Sequence, residues 1–317
     1  MMVNIETKKI APEYLYEKLE IYIITYNRAL LLSNTLQQLK SSPFSSCKIT
    51  VLNNCSTDST LSIAESHASN FKYFSIHTNK INIGSPANVI RAIELSKGIY
   101  TWVLCDDDDY NFSDCNDVIS AILSENVDLV HVGAHKDFWK YGGIIATPSE
   151  LIAKGYPYFK YCSFLPCNLF KTQRFYDSIT KAYNNIHNWY PHLPFLIEFL
   201  ENNDQMYISK NQIVLAGIGA QDYREEELML NWANCASLLT HKRYKLLFLI
   251  SQGIKVEKNE KNQVYRALFS YGANLIYNRN YKIIIKVLLT AGLIHSVILF
   301  SAILISPAWY LKRKLDF

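Results

Sequence analysis

The amino-acid sequence predicts an α/β fold with a mainly parallel sheet, and two observations lead to this prediction. Short apolar runs alternate with helical stretches over the first 225 residues, which is typical of a parallel sheet covered on both faces. Polar clusters follow several of these runs, at the strand ends where such sheets bind ligands. The predicted strands are Glu20–Thr25, Lys48–Leu52, Tyr73–His77, Tyr100–Cys105, Asp128–Val132 and Gln212–Leu215.

The strands and helices differ in their apolar spacing. Glu20–Thr25 (EIYIIT) and Tyr100–Cys105 (YTWVLC) are almost wholly apolar, as expected for strands buried on both faces. Helices are predicted where apolar residues recur every three or four positions between start and stop signals. In the first part of the chain these are Ala29–Leu39, Ser59–Ala68, Pro86–Ser96 and a helix from His192 to Leu200. Beyond Tyr223 the pattern predicts only helices, at Glu225–Leu239, Tyr244–Gln252, Asn262–Tyr277 and Tyr281–Ile305.

Composition excludes several classes of protein. Among 317 residues, 49% are hydrophobic and 19% charged, with 11 Gly and 9 Pro, so the chain is neither disordered nor collagen-like. Its seven cysteines are scattered without a CxxC pair, which excludes a disulfide framework and a structural zinc site and fits a reducing cytosol.

Charge divides the chain into two predicted regions, residues 1–225 and residues 226–317. From Leu228 to the C-terminus there are 13 Lys/Arg against 3 Asp/Glu. Val287–Ile305 contains no charged residue in 19 positions, about 28 Å of helix. Trp309-Tyr310 and Lys312-Arg313-Lys314 follow, an aromatic anchor and a cluster suited to anionic lipids. We expect the second region to associate with a membrane surface, with a buried helix as the alternative.

Four consecutive aspartates, Asp106 to Asp109, follow the strand that ends at Cys105. Carboxylates this close repel one another and favour a compensating cation. Oxygen ligands suit Mg²⁺ or Mn²⁺, commonly shared with substrate phosphates. The motif therefore predicts a divalent metal site, and a solvated acidic turn is the alternative.

Three weaker motifs follow the first three strands. They are Thr25-Tyr26-Asn27-Arg28, then Asn53-Asn54-Cys55-Ser56-Thr57-Asp58, and Asn82-Ile83-Gly84 continuing to Asn88. Each by itself is also explained as a turn with a helix cap. The third leads into a helix whose N-terminus favours an anionic group.

Taken in this order and spacing, the four motifs resemble family-2 glycosyltransferases with a GT-A (Rossmann-like) fold. Among these, the chain is most similar to bacterial enzymes of O-antigen and lipopolysaccharide biosynthesis, including abequosyl-type dideoxyhexosyltransferases. The resemblance implies that Thr25, Tyr26, Arg28 and Asn88 bind the nucleotide sugar and that Asn53 and Asp58 lie beside the base and ribose.

The same resemblance assigns the aspartates. Asp106 and Asp108 match the family's metal-binding DxD pair, with Mn²⁺ or Mg²⁺ bridging the donor phosphates. Asp107 is then a donor-binding residue and Asp108 also a catalytic one. Because there is a fourth aspartate, a register with Asp107 and Asp109 stays open.

Two departures from the family pattern are informative. Asn53 stands where members commonly carry Asp, and an amide can complement both N3 and N4 of cytosine; this favours a CDP-sugar over UDP, dTDP or GDP donors. His192 stands where the family has its catalytic Asp, and imidazole is a competent general base. A histidine that caps a helix is the alternative, and a retaining reaction would need no such base.

The sequence thus predicts a metal-dependent transferase that moves a sugar onto a lipid-linked (undecaprenyl diphosphate) oligosaccharide. We expect it at the cytoplasmic face of the inner membrane, peripheral or monotopic. Alternatives are a nucleotidyltransferase and a non-catalytic sugar-nucleotide-binding subunit. No nucleic-acid-binding module is recognisable, so nucleic acid is not an expected partner.

Overall fold

The computed structural model describes residues 14–133, 141–215 and, between 231 and 251, residues 231, 232, 234–241, 244, 247, 248 and 251. The described chain divides into two units. The first holds residues 14–133, 141–186 and 191–215, and the second holds residues 187–190 with the described residues after 230.

The first unit is built on an eight-stranded sheet with the strand order β3-β2-β1-β4-β8-β6-β9-β7. Its strands are β1 Leu19–Thr25, β2 Lys48–Asn53, β3 Tyr73–Thr78, β4 Tyr100–Cys105, β6 Leu129–His131, β7 Ile144–Ala146, β8 Asn168–Lys171 and β9 Met206–Ile208. Strands β5 (Asp109–Tyr110) and β10 (Val214–Leu215) form a separate antiparallel pair.

Within the described residues of the first unit, ten helices connect or cover these strands. They are α1 Leu15–Lys18, α2 Ala29–Lys40, α3 Thr60–His67, α4 Ser85–Leu95, α5 Asn116–Ser124, α6 Pro148–Ala153, α7 Tyr158–Cys162, α8 Thr172–Tyr176, α9 Ile179–Asn184 and α10 Leu193–Glu201. Short 3-10 turns lie at Pro43–Ser46, Ala68–Asn70, Leu165–Cys167 and Ile186–Asn188.

The predicted mainly parallel α/β fold is confirmed. Strands β1, β2, β3 and β4 pair in parallel, as do β6 and β9. Antiparallel pairs join β8 to β4 and to β6, and β7 to β9. Every residue of β1 is buried, including Glu20, in agreement with the apolar run Ile21–Ile24.

Strand β8 was not predicted, and it joins the two halves of the sheet by pairing with both β4 and β6. Asn168 at its start is fully buried, and its amide nitrogen donates to the carbonyls of Cys162 (2.8 Å) and Phe164 (3.0 Å). Trp102 in β4 donates through Nε1 to the Pro166 carbonyl at 2.8 Å. Buried carbonyls left without such partners would cost about 1–3 kcal/mol each, so these side chains fix the loop that leads into β8.

Helices α1 and α5 to α9 were not predicted either, and the remaining differences in the sheet concern short strands. Strands β7 and β9 have three residues each, too few to show a period of two. The predicted strand Gln212–Leu215 is shorter, and it pairs with β5 rather than joining the main sheet.

In the second unit, Trp232 stacks on Phe248 with ring centroids 4.0 Å apart and donates through Nε1 to the Phe248 carbonyl. Tyr190 packs edge-on against Trp232. No helix within the described residues is both long and apolar enough to cross a membrane. The stretch Val287–Ile305, the predicted helices beyond residue 251 and the basic cluster at 312–314 lie outside the described residues.

Candidate functional site

The candidate site lies where the carboxyl ends of the parallel strands meet. Thr25 at the end of β1 is in register with Asn53 at the end of β2, and Asn53 with Thr78 at the end of β3. On the other side, Ile24 is in register with Cys105, the last residue of β4. The first two of the three turn motifs and the aspartate run therefore begin at one edge of the sheet, as the sequence predicted.

The turn after β1 is joined to the turn after β2 by the side chain of Asn27. Its φ of 51° is left-handed, a conformation that Asn tolerates better than most residues. The Asn27 amide oxygen accepts from the Thr57 backbone N–H at 2.8 Å, and the Asn27 N–H donates to the Ser56 hydroxyl at 2.9 Å. Tyr26, immediately before it, is 41% exposed, so its ring is accessible to a ligand.

Asp58 lies two residues before α3, the helix that follows the second turn. Its Oδ1 accepts from the backbone N–H of Thr60 at 2.9 Å and from the Thr60 hydroxyl at 2.5 Å. Burial raises the pKa of Asp58, but these hydrogen bonds outweigh it and hold the pKa below its ordinary value. The Thr60 hydroxyl also accepts from the Arg28 backbone N–H at 3.0 Å, so Asp58 supports the turn that carries Arg28.

The third motif belongs to a network of asparagine side chains, in which Asn54, Asn79 and Asn88 are buried and Asn82 is exposed. Asn54 Oδ1 accepts from Asn79 Nδ2 (3.0 Å), and Asn54 Nδ2 donates to Asn82 Oδ1 (2.8 Å). Asn79 Nδ2 also donates to Asn88 Oδ1 at 2.8 Å. Asn88 is 2% exposed and donates to the carbonyl of Leu52. The network therefore ties the N-terminal turn of α4 to the ends of β2 and β3.

Asn53 is likewise built into its turn. Its Oδ1 accepts from the Ser56 N–H at 3.0 Å, its Nδ2 donates to the Thr78 hydroxyl at 3.4 Å, and 1% of the residue is exposed. One amide hydrogen and one lone pair remain beyond these two bonds. This geometry favours a turn-shaping role, and the role of Asn53 beside the base stays a prediction.

The four aspartates have four different surroundings. Asp106 is 3% exposed and Asp108 is 7% exposed, whereas the Asp107 side chain is 30% exposed. Asp109 is exposed and accepts from Asn34 Nδ2 (3.1 Å) and Gln38 Nε2 (2.9 Å) of α2. The amides of α2 thus hold Asp109, in β5, away from the rest of the run.

Arg28 supplies the positive charge beside this run. Its Nη1 lies 3.2 Å from Asp106 Oδ1 and 2.8 Å from Asp107 Oδ2. The second oxygen of Asp106, Oδ2, is buried without a hydrogen-bond partner among the described residues, as is the Thr25 hydroxyl. Burial raises the pKa of Asp106 to about 6, although the nearby Thr25 hydroxyl and the Arg28 guanidinium both lower it.

A group that can hold a metal ion lies at the same place. Ligand atoms of Cys105, Asp107 and Asp108 all lie within 4.8 Å of one another. Burial, followed by the charges of the neighbouring aspartates, raises the pKa of the Cys105 thiol well above its ordinary value, so the thiol stays protonated at neutral pH. The carboxylates of Asp107 and Asp108 are hard oxygen ligands, and they fit Mg²⁺ or Mn²⁺.

His192 lies in another setting, immediately before α10. It is 3% exposed, and its Nε2 donates to the carbonyl of Ser163 at 2.9 Å. Its ring centroid lies 6.5 Å from that of Phe170. Burial lowers the pKa of His192 to about 4, which weakens the imidazole as a base at neutral pH. This geometry favours the structural alternative, and the catalytic role of His192 stays a prediction.

Several residues of the site were not predicted from the sequence. Asn27, Asn54 and Asn79 act through side-chain hydrogen bonds between separate turns. Tyr110 bonds through its hydroxyl to both the N–H and the carbonyl of Cys105, which stabilises the turn carrying the aspartates. The abundance of Asn at strand ends was the signal in the sequence that could have indicated these residues. It is not specific, because Asn is common in turns of any protein.

Solved structures with a similar fold include two of the same protein. S. aureus TarS 1-349 in complex with UDP has a TM-score of 0.58 and 16% identity, covering 93% of this chain and 91% of that chain. The same protein in complex with UDP-GlcNAc has a TM-score of 0.57 and 16% identity, covering 86% of this chain and 90% of that chain. At this identity the likeness shows the fold alone. No curated protein matches the chain at a significant level.

The family is shown by the sequence itself. Residues 20–203, more than half of the chain, match the family described as glycosyl transferase family 2. The matched range begins in β1 and extends beyond α10, so it contains every residue of the site described above. A nucleotidyltransferase and a non-catalytic subunit are thereby set aside. The chain belongs to glycosyl transferase family 2 and is a glycosyltransferase.

Proposed function

We propose that the protein transfers a sugar from a nucleoside-diphosphate donor to an acceptor hydroxyl, with a divalent cation held by Asp107 and Asp108. The observation that carries this proposal is the grouping of these two carboxylates at the end of β4, within the family-2 domain. The bound cation would supply neutralising charge for the departing nucleoside diphosphate. Asp106, which the sequence paired with Asp108 as a ligand, contacts Arg28 through Oδ1, and the pair Asp106 and Asp108 stays a prediction.

We further propose that the donor is a CDP-sugar, with a CDP-dideoxyhexose such as CDP-abequose favoured. This rests on the amide of Asn53, whose remaining N–H and lone pair complement N3 and N4 of cytosine. UDP-, dTDP- and GDP-hexoses are the alternatives. The TarS structures contain UDP and UDP-GlcNAc, but at 16% identity they do not indicate which base the donor of this chain carries.

For the acceptor we propose a lipid-linked oligosaccharide of O-antigen or lipopolysaccharide synthesis. The support is the basic and apolar region 226–317, which suits attachment to an anionic membrane surface. A lipid-linked acceptor would place the transferase at the cytoplasmic face of the inner membrane.

The metal site is tested with an Asp108→Asn variant, and Asp109→Asn is the matched control because its carboxylate bonds to Asn34 and Gln38. In wild type, a nucleoside diphosphate at a hundredfold excess over its Kd should add about 2.7 kcal/mol of stability, and only with Mn²⁺ or Mg²⁺. We expect Asp108→Asn to abolish this metal-dependent thermal shift and Asp109→Asn to keep it. If Asp109→Asn abolished the shift and Asp108→Asn kept it, the cation would be assigned to Asp107 and Asp109.

The donor base is tested with Asn53→Asp, using titration calorimetry of CDP, UDP, GDP and dTDP in the presence of Mn²⁺. Aspartate can still accept from the Ser56 N–H and from the Thr78 hydroxyl, so the turn should persist. We expect CDP to bind wild type best, and the variant to lose CDP affinity about tenfold and gain UDP affinity. If the substitution left both affinities unchanged, Asn53 would serve the turn only.

The membrane proposal is tested by co-sedimentation of the full chain with vesicles. We expect binding to vesicles containing anionic phospholipid and little binding to phosphatidylcholine alone, because each basic residue near the surface contributes about 1 kcal/mol. The triple change Lys312→Glu, Arg313→Glu and Lys314→Glu should weaken the binding, as should high salt. Equal binding of the triple variant at low salt would exclude this cluster as the anchor.

His192 is tested with His192→Gln, whose amide can keep the hydrogen bond to the Ser163 carbonyl. The folded pKa of about 4 lies below the unfolded value of 6.5, so wild type is fully stabilised above pH 6.5 and should lose about 3 kcal/mol relative to the variant as the pH falls to 4. Denaturant unfolding across this range measures the difference. Turnover decides the chemical role, since loss of a general base would slow it about 10²–10⁴-fold.

A further inference from the structure

Arg28 bridges two neighbouring aspartates, and a donor-binding role does not explain this bridge. A single guanidinium nitrogen, Nη1, bridges Asp106 Oδ1 at 3.2 Å and Asp107 Oδ2 at 2.8 Å. Adjacent carboxylates repel, and a cation between them lowers the cost of keeping both ionised. Arg28 therefore neutralises part of the aspartate run from within the protein.

The backbone of Arg28 is fixed, while its side chain is partly exposed. Its N–H donates to the Thr60 hydroxyl at 3.0 Å, and its carbonyl accepts from the Leu32 N–H at 2.9 Å in the first turn of α2. The side chain is 26% exposed. A change in the contacts of the guanidinium thus needs only side-chain rotation, with no movement of the turn.

Asp107 belongs to two arrangements that compete. It is a partner of Arg28 in the ion pair, and it is one of the group with Cys105 and Asp108 that can hold a metal ion. A divalent cation in that group would lie close to the guanidinium, and two positive charges at this distance repel. A guanidinium also matches the geometry of phosphate oxygens and can bind them with two parallel hydrogen bonds.

We propose that Arg28 is a positioning residue: when no divalent cation is bound, its guanidinium pairs with Asp107. When the cation binds, the guanidinium leaves Asp107 and binds the diphosphate of the donor. This inference rests on the proposed function. Without nucleotide, the metal must compete with Arg28 for Asp107. When nucleotide is also bound, the guanidinium released from Asp107 binds the diphosphate instead. Cation and nucleoside diphosphate therefore bind with positive coupling, and Arg28 is the residue that carries it.

The test measures binding rather than turnover. Mn²⁺ binding to the full-length protein is followed by electron paramagnetic resonance, first without nucleotide and then with the tightest-binding nucleoside diphosphate. For Arg28→Met we expect Mn²⁺ alone to bind about tenfold more tightly than to wild type, and the coupling between Mn²⁺ and nucleotide to fall about tenfold. Arg28→Lys keeps a positive charge without the planar fork, so it should retain wild-type Mn²⁺ affinity and lose coupling.

The controls separate this inference from the proposed function. Arg91→Met removes an exposed ion pair with Glu94 on α4 and should leave both affinities unchanged. Wild type that binds neither Mn²⁺ nor any nucleotide would overturn the proposed function itself. Wild type that binds both, with Mn²⁺ affinity unchanged or weakened in folded Arg28→Met, would overturn the role of Arg28 alone.

Discussion

The parallel pairing of β1 with β2 and with β4 is the constraint on which the site depends. Because these strands run in the same direction, their carboxyl ends reach one edge of the sheet together. The register places Thr25 beside Asn53 and Ile24 beside Cys105. Two turns and the aspartate run, which are up to 80 residues apart in the chain, are thereby brought within side-chain reach of one another.

Short polar side chains then join the turns to each other by hydrogen bonds. Asn27 joins the first two turns, and Asn54 with Asn79 joins the second to the start of α4. Each of these bonds contributes only about 1 kcal/mol net, but the amides of Asn54 and Asn79 are buried and would be costly to leave unpaired. The loops around the candidate site are consequently held together by side chains of the protein itself, and such preorganisation favours precise positioning of a ligand.

Electrostatics distinguishes aspartates that look equivalent in the sequence. Asp109 is held by amides of α2, Asp106 is buried against Arg28, and Asp107 with Asp108 remains grouped near Cys105. Arg28 compensates the run in part while keeping a rotatable, partly exposed side chain. Arg28 thus supplies positive charge to the run from within the protein, and our proposal is that a divalent cation takes its place beside Asp107.

The sequence by itself determined the α/β class, the long strands β1 to β4, the helices that follow β1, β2 and β3, and the family. These signals are local, because apolar runs such as Tyr100–Cys105 and the motifs at their ends are contiguous in the chain. The central strand β8 and the short strands β7 and β9 were missed. Three or four residues carry no periodicity, and their pairing is set by partners distant in the sequence, as with β8 between β4 and β6.

Which contacts each residue of the site makes was decided only by the tertiary structure. Four identical carboxylates in a row contain no information about which ones contact Arg28, which one contacts α2 and which ones can share a cation. The same holds for His192, whose burial and bond to the Ser163 carbonyl depend on residues 29 positions away. Local sequence specifies which elements form, whereas burial and charge partners arise only when those elements pack, because both are properties of neighbours in space.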